Sequence, residues 1–162
     1  QNNKLKAIPD GLGNLQNLQT LDLSYNMLKT LPKSISKLPL LVYLYLQKNL
    51  FKDIPQEIYD LTSLSHLYIS DCKISSISSQ IKNLTDLQYL SLENNQIESL
   101  PEELGALENL EGLYLSNNQI TTIPISILRL EQLSYLNLSG NPIAEKEKKR
   151  IQKALKYTQV TF

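Results

Sequence analysis

Few residues of this 162-residue chain have side chains suited to covalent or acid–base chemistry. There is one histidine, His66, and one cysteine, Cys72. Ser70 and Asp71 follow His66 closely, and Ser91 and Glu93 come near it by register. A catalytic constellation would need a nucleophile, a base and an orienting group within hydrogen-bond reach, in a site that keeps water out. Serine is common throughout the chain, and these positions fall on an open surface, so the chain is read as not an enzyme. A single cysteine makes neither an internal disulfide nor a multi-cysteine zinc site. There is no glycine-rich phosphate loop and no cluster of metal-ligand types. Neither a metal nor a cofactor is expected.

The spacing of the leucines is more informative. Leu18, Leu41, Leu64, Leu87, Leu110 and Leu133 are each separated by 23 residues. With that leucine as slot one, slot four is Leu21, Leu44, Leu67, Leu90, Leu113 and Leu136. Slot six is Leu23, Leu46, Ile69, Leu92, Leu115 and Leu138. Slot nine is Asn26, Asn49, Cys72, Asn95, Asn118 and Asn141, and slot eleven is again apolar. A strand alternates its faces, so slots four and six point inward and slots three, five and seven point outward. Copies with one apolar face each must stack in parallel to bury it, which builds a continuous core. Pro9, Pro32, Pro55, Pro101 and Pro124 occupy slot fifteen. Proline suits the first position of a short helical turn, and apolar slots eighteen and twenty-one then share one face of that turn.

The pattern L-x-x-L-x-L-x-x-N/C-x-L, with a second half such as Leu31-Pro32-Lys33-Ser34-Ile35, resembles the 23-residue class of leucine-rich repeats. The last copy runs through Asn141-Pro142 into a charged segment, similar to small bacterial leucine-rich-repeat proteins. The resemblance implies an α/β solenoid. It would be a right-handed superhelix with a parallel concave sheet, short helical or 3₁₀ turns on the convex side and a C-terminal capping helix. It also implies a protein-binding role. One domain is expected over 1–162, with a partial first repeat at 1–17, repeats at 18–143 and a cap at 144–162. The cap is read as a helix from Glu145 to Tyr157, with Val160 and Phe162 on a short closing strand.

Slot nine points inward. An asparagine there can satisfy buried backbone groups with both its donors and its acceptor, so Asn26, Asn49, Asn95, Asn118 and Asn141 are read as a structural ladder. Cys72 takes the same slot and is read as a buried, inert thiol. Its copy carries Ser78 where others have proline, so residues 75–79 are expected to be the loosest part of the convex side.

The outward slots are the only surface displayed systematically. Six of the nine tyrosines fall there, Tyr43, Tyr89 and Tyr135 in slot three and Tyr45, Tyr68 and Tyr114 in slot five. Same-slot residues of adjacent copies lie about 4.8 Å apart, so Tyr43, His66 and Tyr89 form one row with Tyr45 and Tyr68 beside it. Tyrosine is both a good strand residue and a common anchor at interfaces. A concave binding site for a partner is expected at Tyr43, Tyr45, His66, Tyr68, Tyr89, Tyr114 and Tyr135, with Asp22 and Glu93 nearby. The outward acidic residues Asp22, Asp71, Glu93 and Glu111 face only Lys48 as a basic neighbour, so the expected partner is a protein with apolar and basic groups.

The 16 basic and 16 acidic residues balance, which argues against nucleic acid as the partner. No apolar stretch approaches the ~20 residues of a membrane span. Leu5, Ile8, Leu12 and Leu15 precede the first strand pattern without a polar cap. The expectation is either more chain before Gln1 or self-association at this end. Two further readings stay open: a recognition segment of a larger signalling or effector protein, and a structural or adhesive surface element. A secreted or cell-surface bacterial protein is favoured.

Overall fold

The computed structural model describes residues 3–162. Each copy contributes one three-residue strand: β1 (Thr20–Asp22), β2 (Tyr43–Tyr45), β3 (His66–Tyr68), β4 (Tyr89–Ser91), β5 (Gly112–Tyr114) and β6 (Tyr135–Asn137). With β7 (Gln159–Thr161) they form one seven-stranded sheet in chain order, every neighbouring pair parallel. The register is slot to slot, so Leu21, Leu44, Leu67, Leu90, Leu113 and Leu136 make one inward row. From Leu44 to Leu136 that row is buried, as is the slot-eleven row of Leu28, Phe51, Ile74, Ile97, Ile120 and Ile143. The fold is a leucine-rich-repeat solenoid.

The return path of each copy is a 3₁₀ turn: Asp10–Asn14, Lys33–Lys37, Gln56–Asp60, Ser79–Asn83, Glu102–Ala106 and Ile127–Arg129. Proline sits one residue earlier than expected. Pro9, Pro32, Pro55 and Pro101 are the caps just before their turns, in extended backbone, and their carbonyls accept the first turn bonds, as in Ile35 N–H to Pro32 O at 3.0 Å. A residue there needs no N–H for the turn and gains from a fixed φ. Pro124 lies farther upstream, because Ser126 caps a shorter turn. Ser78 supplies by side chain what proline supplies by ring: its Oγ accepts from Gln80 N at 3.2 Å. The serine-rich segment therefore ends in a turn of the same length as its neighbours.

One backbone feature repeats without being visible in residue type. Tyr25, Lys48, Asp71, Asn94 and Asn117, the residues just before slot nine, all have φ between 52 and 57°, and Gly140 has φ 74°. The chain turns there through the left-handed region, which asparagine and aspartate tolerate and tyrosine and lysine do not favour.

The C-terminal end is covered by α1 (Glu145–Ala154), which stops before the expected Tyr157. Ile151 and Leu155 pack into the core. Glu147 accepts from Ile123 N at 3.0 Å and from Arg150 Nε at 2.7 Å, which pulls its carboxyl below the ordinary carboxylate value. The chain then returns along β6, with Val160 beside Leu136. At the other end, Leu5 is 43% and Leu15 51% exposed, while Ile8 and Leu12 pack partly against the core. Gln1 and Asn2 of the expected partial repeat lie outside the described residues.

Candidate functional site

The strand register sets the outward residues in rows. Tyr43 pairs with His66, and His66 with Tyr89, while Tyr45 pairs with Tyr68. The rings meet across the strands. Tyr43 and His66 are 4.5 Å apart between centroids, His66 and Tyr89 4.8 Å, and Tyr45 and Tyr68 4.9 Å with their planes 1° apart. His66 also lies 6.2 Å from Tyr68, so the two rows join in one cluster of five rings. Offset and tilted contacts of this kind add stability beyond the area they cover.

The remaining rings stand apart. Slot three becomes Gly112 and slot five becomes Ser91, and both rows break there. A Cβ on Gly112 would lie 2.7 Å from the Tyr89 ring and 2.9 Å from the Tyr114 ring. The missing side chain lets Tyr89 lean across β5, where its hydroxyl donates to Glu111 Oε2 at 2.7 Å. That bond, with desolvation, pushes the Tyr89 phenol up to about 12. Burial also raises the phenols of Tyr68 and Tyr114. Tyr114, Tyr135 and Asn137 line a separate hollow of about 170 Å³ near the C-terminal edge of the sheet.

The acids occupy different surroundings. Asp22, exposed on the edge strand, binds the Ser24 hydroxyl and amide, and these hold its carboxyl below the usual value. Glu93 sits in a run of neutral donors. Its Oε1 accepts from Ser116 Oγ at 2.7 Å and from Asn137 Nδ2 at 3.5 Å, and its Oε2 accepts from Ser91 Oγ at 3.4 Å. Ser91 in turn meets Ser70 at 2.6 Å, and Thr161 donates to Asn137 at 2.9 Å. This hydroxyl–amide line crosses β3 to β7. Sequence reasoning named Glu93 but missed the line, whose signal was serine recurring in slot seven at Ser24, Ser70, Ser116 and Ser139. Ser70 meets Ser91, Ser116 donates to Glu93 and Ser24 donates to Asp22, so among the described residues no serine hydroxyl pairs with His66.

His66 has a buried Nδ1 without a hydrogen-bond partner. Burial pushes its pKa below the ordinary 6.5, with Glu111 pulling weakly the other way. A histidine held neutral by the fold binds its proton more readily in the unfolded chain. The stability it contributes is therefore complete above about pH 6.5 and is lost as pH falls below that value. The urea midpoint should drop more steeply from about pH 7 to about pH 5 in the wild type than in His66→Phe, which keeps the stack. Parallel pH profiles would refute this.

The slot-nine side chains face inward. Asn49 Oδ1 accepts from Leu28 N at 3.0 Å, and its Nδ2 donates to Leu23 O and Leu46 O, both at 2.9 Å. Asn118 and Asn141 repeat the set one and two copies beyond Asn95, and Asn26 does so toward Leu5. Cys72 is only half-buried, not fully buried as expected. Its sulfur reaches Leu46 O at 3.8 Å and faces the Phe51 amide, the counterpart of the amides that asparagine oxygens hold elsewhere. Burial raises its thiol above the ordinary value. Cys72→Asn should give the Phe51 N–H an oxygen and stabilise the fold by about 1 kcal/mol. A lower thermal midpoint for this variant would contradict the assignment.

A second ladder runs outside the first. Asn117 Nδ2 donates to Asn94 Oδ1 at 2.8 Å, and Asn94 Nδ2 donates to Asp71 Oδ1 at 3.0 Å. It uses the left-handed residues just before slot nine, which sequence reasoning passed over.

Among the described residues, no group of three or more His, Cys, Asp or Glu side chains is placed to hold a metal ion. No described helix is long and apolar enough to cross a membrane.

A family model described as leucine-rich repeat region matches residues 1–79 and again 67–146. No curated protein matches the sequence significantly. Among solved structures, the chain is similar to a leucine-rich-repeat protein of Leptospira interrogans, with 33% identity over 100% of this chain and 53% of that one and a TM-score of 0.61. It is similar to an internalin of Listeria monocytogenes, with 26% identity, coverage of 97% and 51%, and a TM-score of 0.75. It is also similar to the leucine-rich-repeat ectodomain of the plant receptor kinase GASSHO1/SCHENGEN3 of Arabidopsis thaliana, solved in complex with Casparian strip integrity factor 2. There the identity is 31%, the coverage 91% and 19%, and the TM-score 0.77. The chain spans about half the length of the two bacterial proteins.

Proposed function

The chain belongs to the leucine-rich-repeat family, and on that footing we propose that it is a non-catalytic interaction module that seats a protein partner on its concave sheet. The observation that carries this reading is the cluster of Tyr43, Tyr45, His66, Tyr68 and Tyr89, stacked side by side on an open face. Rings already held by their neighbours lose little freedom on binding, which is where interface energy concentrates. The cluster offers apolar area and phenol hydroxyls together. Tyr114 and Tyr135 extend the surface toward the C-terminal edge.

Asp22, Glu93 and Glu111 flank the rings. Lys48, the one basic outward residue, is turned onto the Tyr25 ring at 4.7 Å. Glu93 is satisfied by neutral donors and, among the described residues, forms no ion pair. The partner surface is therefore apolar with basic side chains, and association weakens as salt rises.

The test is the affinity of a partner captured by the wild type, measured again on Tyr45→Ala/Tyr68→Ala. The double variant should keep the wild-type circular dichroism and lose about 100-fold in affinity. Unchanged affinity, or binding that strengthens with salt, would place the partner elsewhere.

A second reading is that the chain is the recognition segment of a larger signalling, effector or surface-adhesive protein. It is favoured by the chain's spanning only 53%, 51% and 19% of its structural neighbours. Two of those neighbours are bacterial and the third is a receptor ectodomain, which supports a bacterial, secreted or surface setting. The exposed Leu5 and Leu15 at the β1 end of the sheet support a further contact there, with a second molecule.

A further inference from the structure

Slot nineteen lies inside each 3₁₀ turn, where consecutive copies press together. It reads Gly13, Ser36, Tyr59, Lys82, Gly105 and Leu128. A Cβ on Gly13 would lie 2.4 Å from Ser34 O, and one on Gly105 would lie 2.3 Å from Ser126 Cβ, so those turns sit as close as backbones allow. Tyr59 is the largest residue in this slot and is only 2% exposed. Its hydroxyl reaches the backbone of Ser78, the serine that stands in place of proline in the next copy, so the side chain forms a wedge between the two copies.

Beside the wedge is a cleft of about 850 Å³ spanning three copies, within the range of small-molecule sites. Leu50, Ile54, Pro55 and Tyr59 contribute its apolar wall. Lys29, Lys52 and Lys73 stand around it, one from each copy, and no ion pair engages any of them among the described residues. Of the two acids in the lining, Asp53 already accepts the Ser76 hydroxyl at 3.2 Å. The other is Glu57.

We propose that this convex cleft binds an amphiphilic anion, a carboxylate, sulfate or phosphate carried on a ring-sized apolar body. The anionic group lies among Lys29, Lys52 and Lys73, and the body rests against Ile54, Pro55 and Tyr59. Lysine ammonium groups on flexible stems gather readily around one anionic group, and an apolar wall alone would not select it. The site is separate from the concave sheet and does not depend on the partner proposed there.

The probe is 8-anilinonaphthalene-1-sulfonate, titrated by fluorescence and calorimetry into the whole chain. N-phenyl-1-naphthylamine serves as the uncharged counterpart and inorganic phosphate as the bare anion. The sulfonate should bind one to one, and the uncharged counterpart about 10-fold more weakly or worse. Lys29→Gln/Lys52→Gln/Lys73→Gln should lose about 10-fold. Ser76→Trp, which fills the mouth and leaves every charge, should lose a similar factor. All four changes are at exposed positions, and unchanged circular dichroism confirms that the variants fold. Equal sulfonate affinity in either variant would overturn the proposal, because the dye would then be on another apolar surface such as Leu5 and Leu15. Phosphate binding as tightly as the sulfonate would overturn the amphiphile and leave only an anion site.

Discussion

Phe51→Ala should destabilise the fold by about 4 kcal/mol, the largest loss expected of any single substitution described. Phe51 is fully buried and is the bulkiest of the fully buried side chains. Leucine or isoleucine fills its slot in the other copies, so neighbouring layers are shaped around smaller groups and this layer around a ring. Truncation removes the transfer energy of that ring and leaves a void. In a solenoid each copy touches only its neighbours, so few atoms are available to collapse into the space. Urea unfolding should show a lower midpoint with little change in slope. A loss below about 1 kcal/mol would mean that the copies relax around the gap.

Asn95→Ala should cost about 2–3 kcal/mol, because its bonds are made inside the stack where water does not replace them. The Ile74 amide donates to Asn95 Oδ1 at 3.0 Å, and Asn95 Nδ2 donates to Ile69 O and Leu92 O at 3.0 Å. The side chain is 8% exposed, so its removal strands an amide and weakens the support of two carbonyls in consecutive copies. The change is opposite in sign to that expected for Cys72→Asn one copy earlier. Measuring both by urea unfolding reads the same slot in both directions. Wild-type stability for Asn95→Ala would show that these groups are satisfied by other means.

The fold was largely legible because every copy repeats the same restraint. Leu44, Leu67, Leu90 and Leu113 each fill the same slot, and one strand that buries a single face has no stable arrangement except in a stack. Details that depend on one residue against its neighbour were harder to read. Proline was placed in the turn but stands just before it, since the turn needs a carbonyl from that position. Helix α1 ends at Ala154 and not at Tyr157, because the chain must turn back for β7 to pair with β6.

The candidate site divides along the same line. The register placed Tyr43 next to His66 and Tyr45 next to Tyr68, since a 23-residue period carries same-slot residues onto adjacent strands. It did not reveal that Tyr89 leans over Gly112 to reach Glu111, or that Glu93 gathers Ser91, Ser116 and Asn137. Those contacts depend on a missing Cβ and on rotamers chosen between copies.

By itself the sequence determined the number of copies, which side chains face inward, and which slot carries the asparagines, because these follow from periodicity and burial alone. Only the tertiary structure decided how the rings stack, that His66 Nδ1 is buried unpaired, that Cys72 leaves Phe51 with a sulfur in place of an oxygen, and that Tyr59 is buried against Ser78 of the next copy. Each of these is a contact between residues about one period apart in the chain. Its geometry depends on the size of both partners and on the space between their copies, which periodicity does not specify.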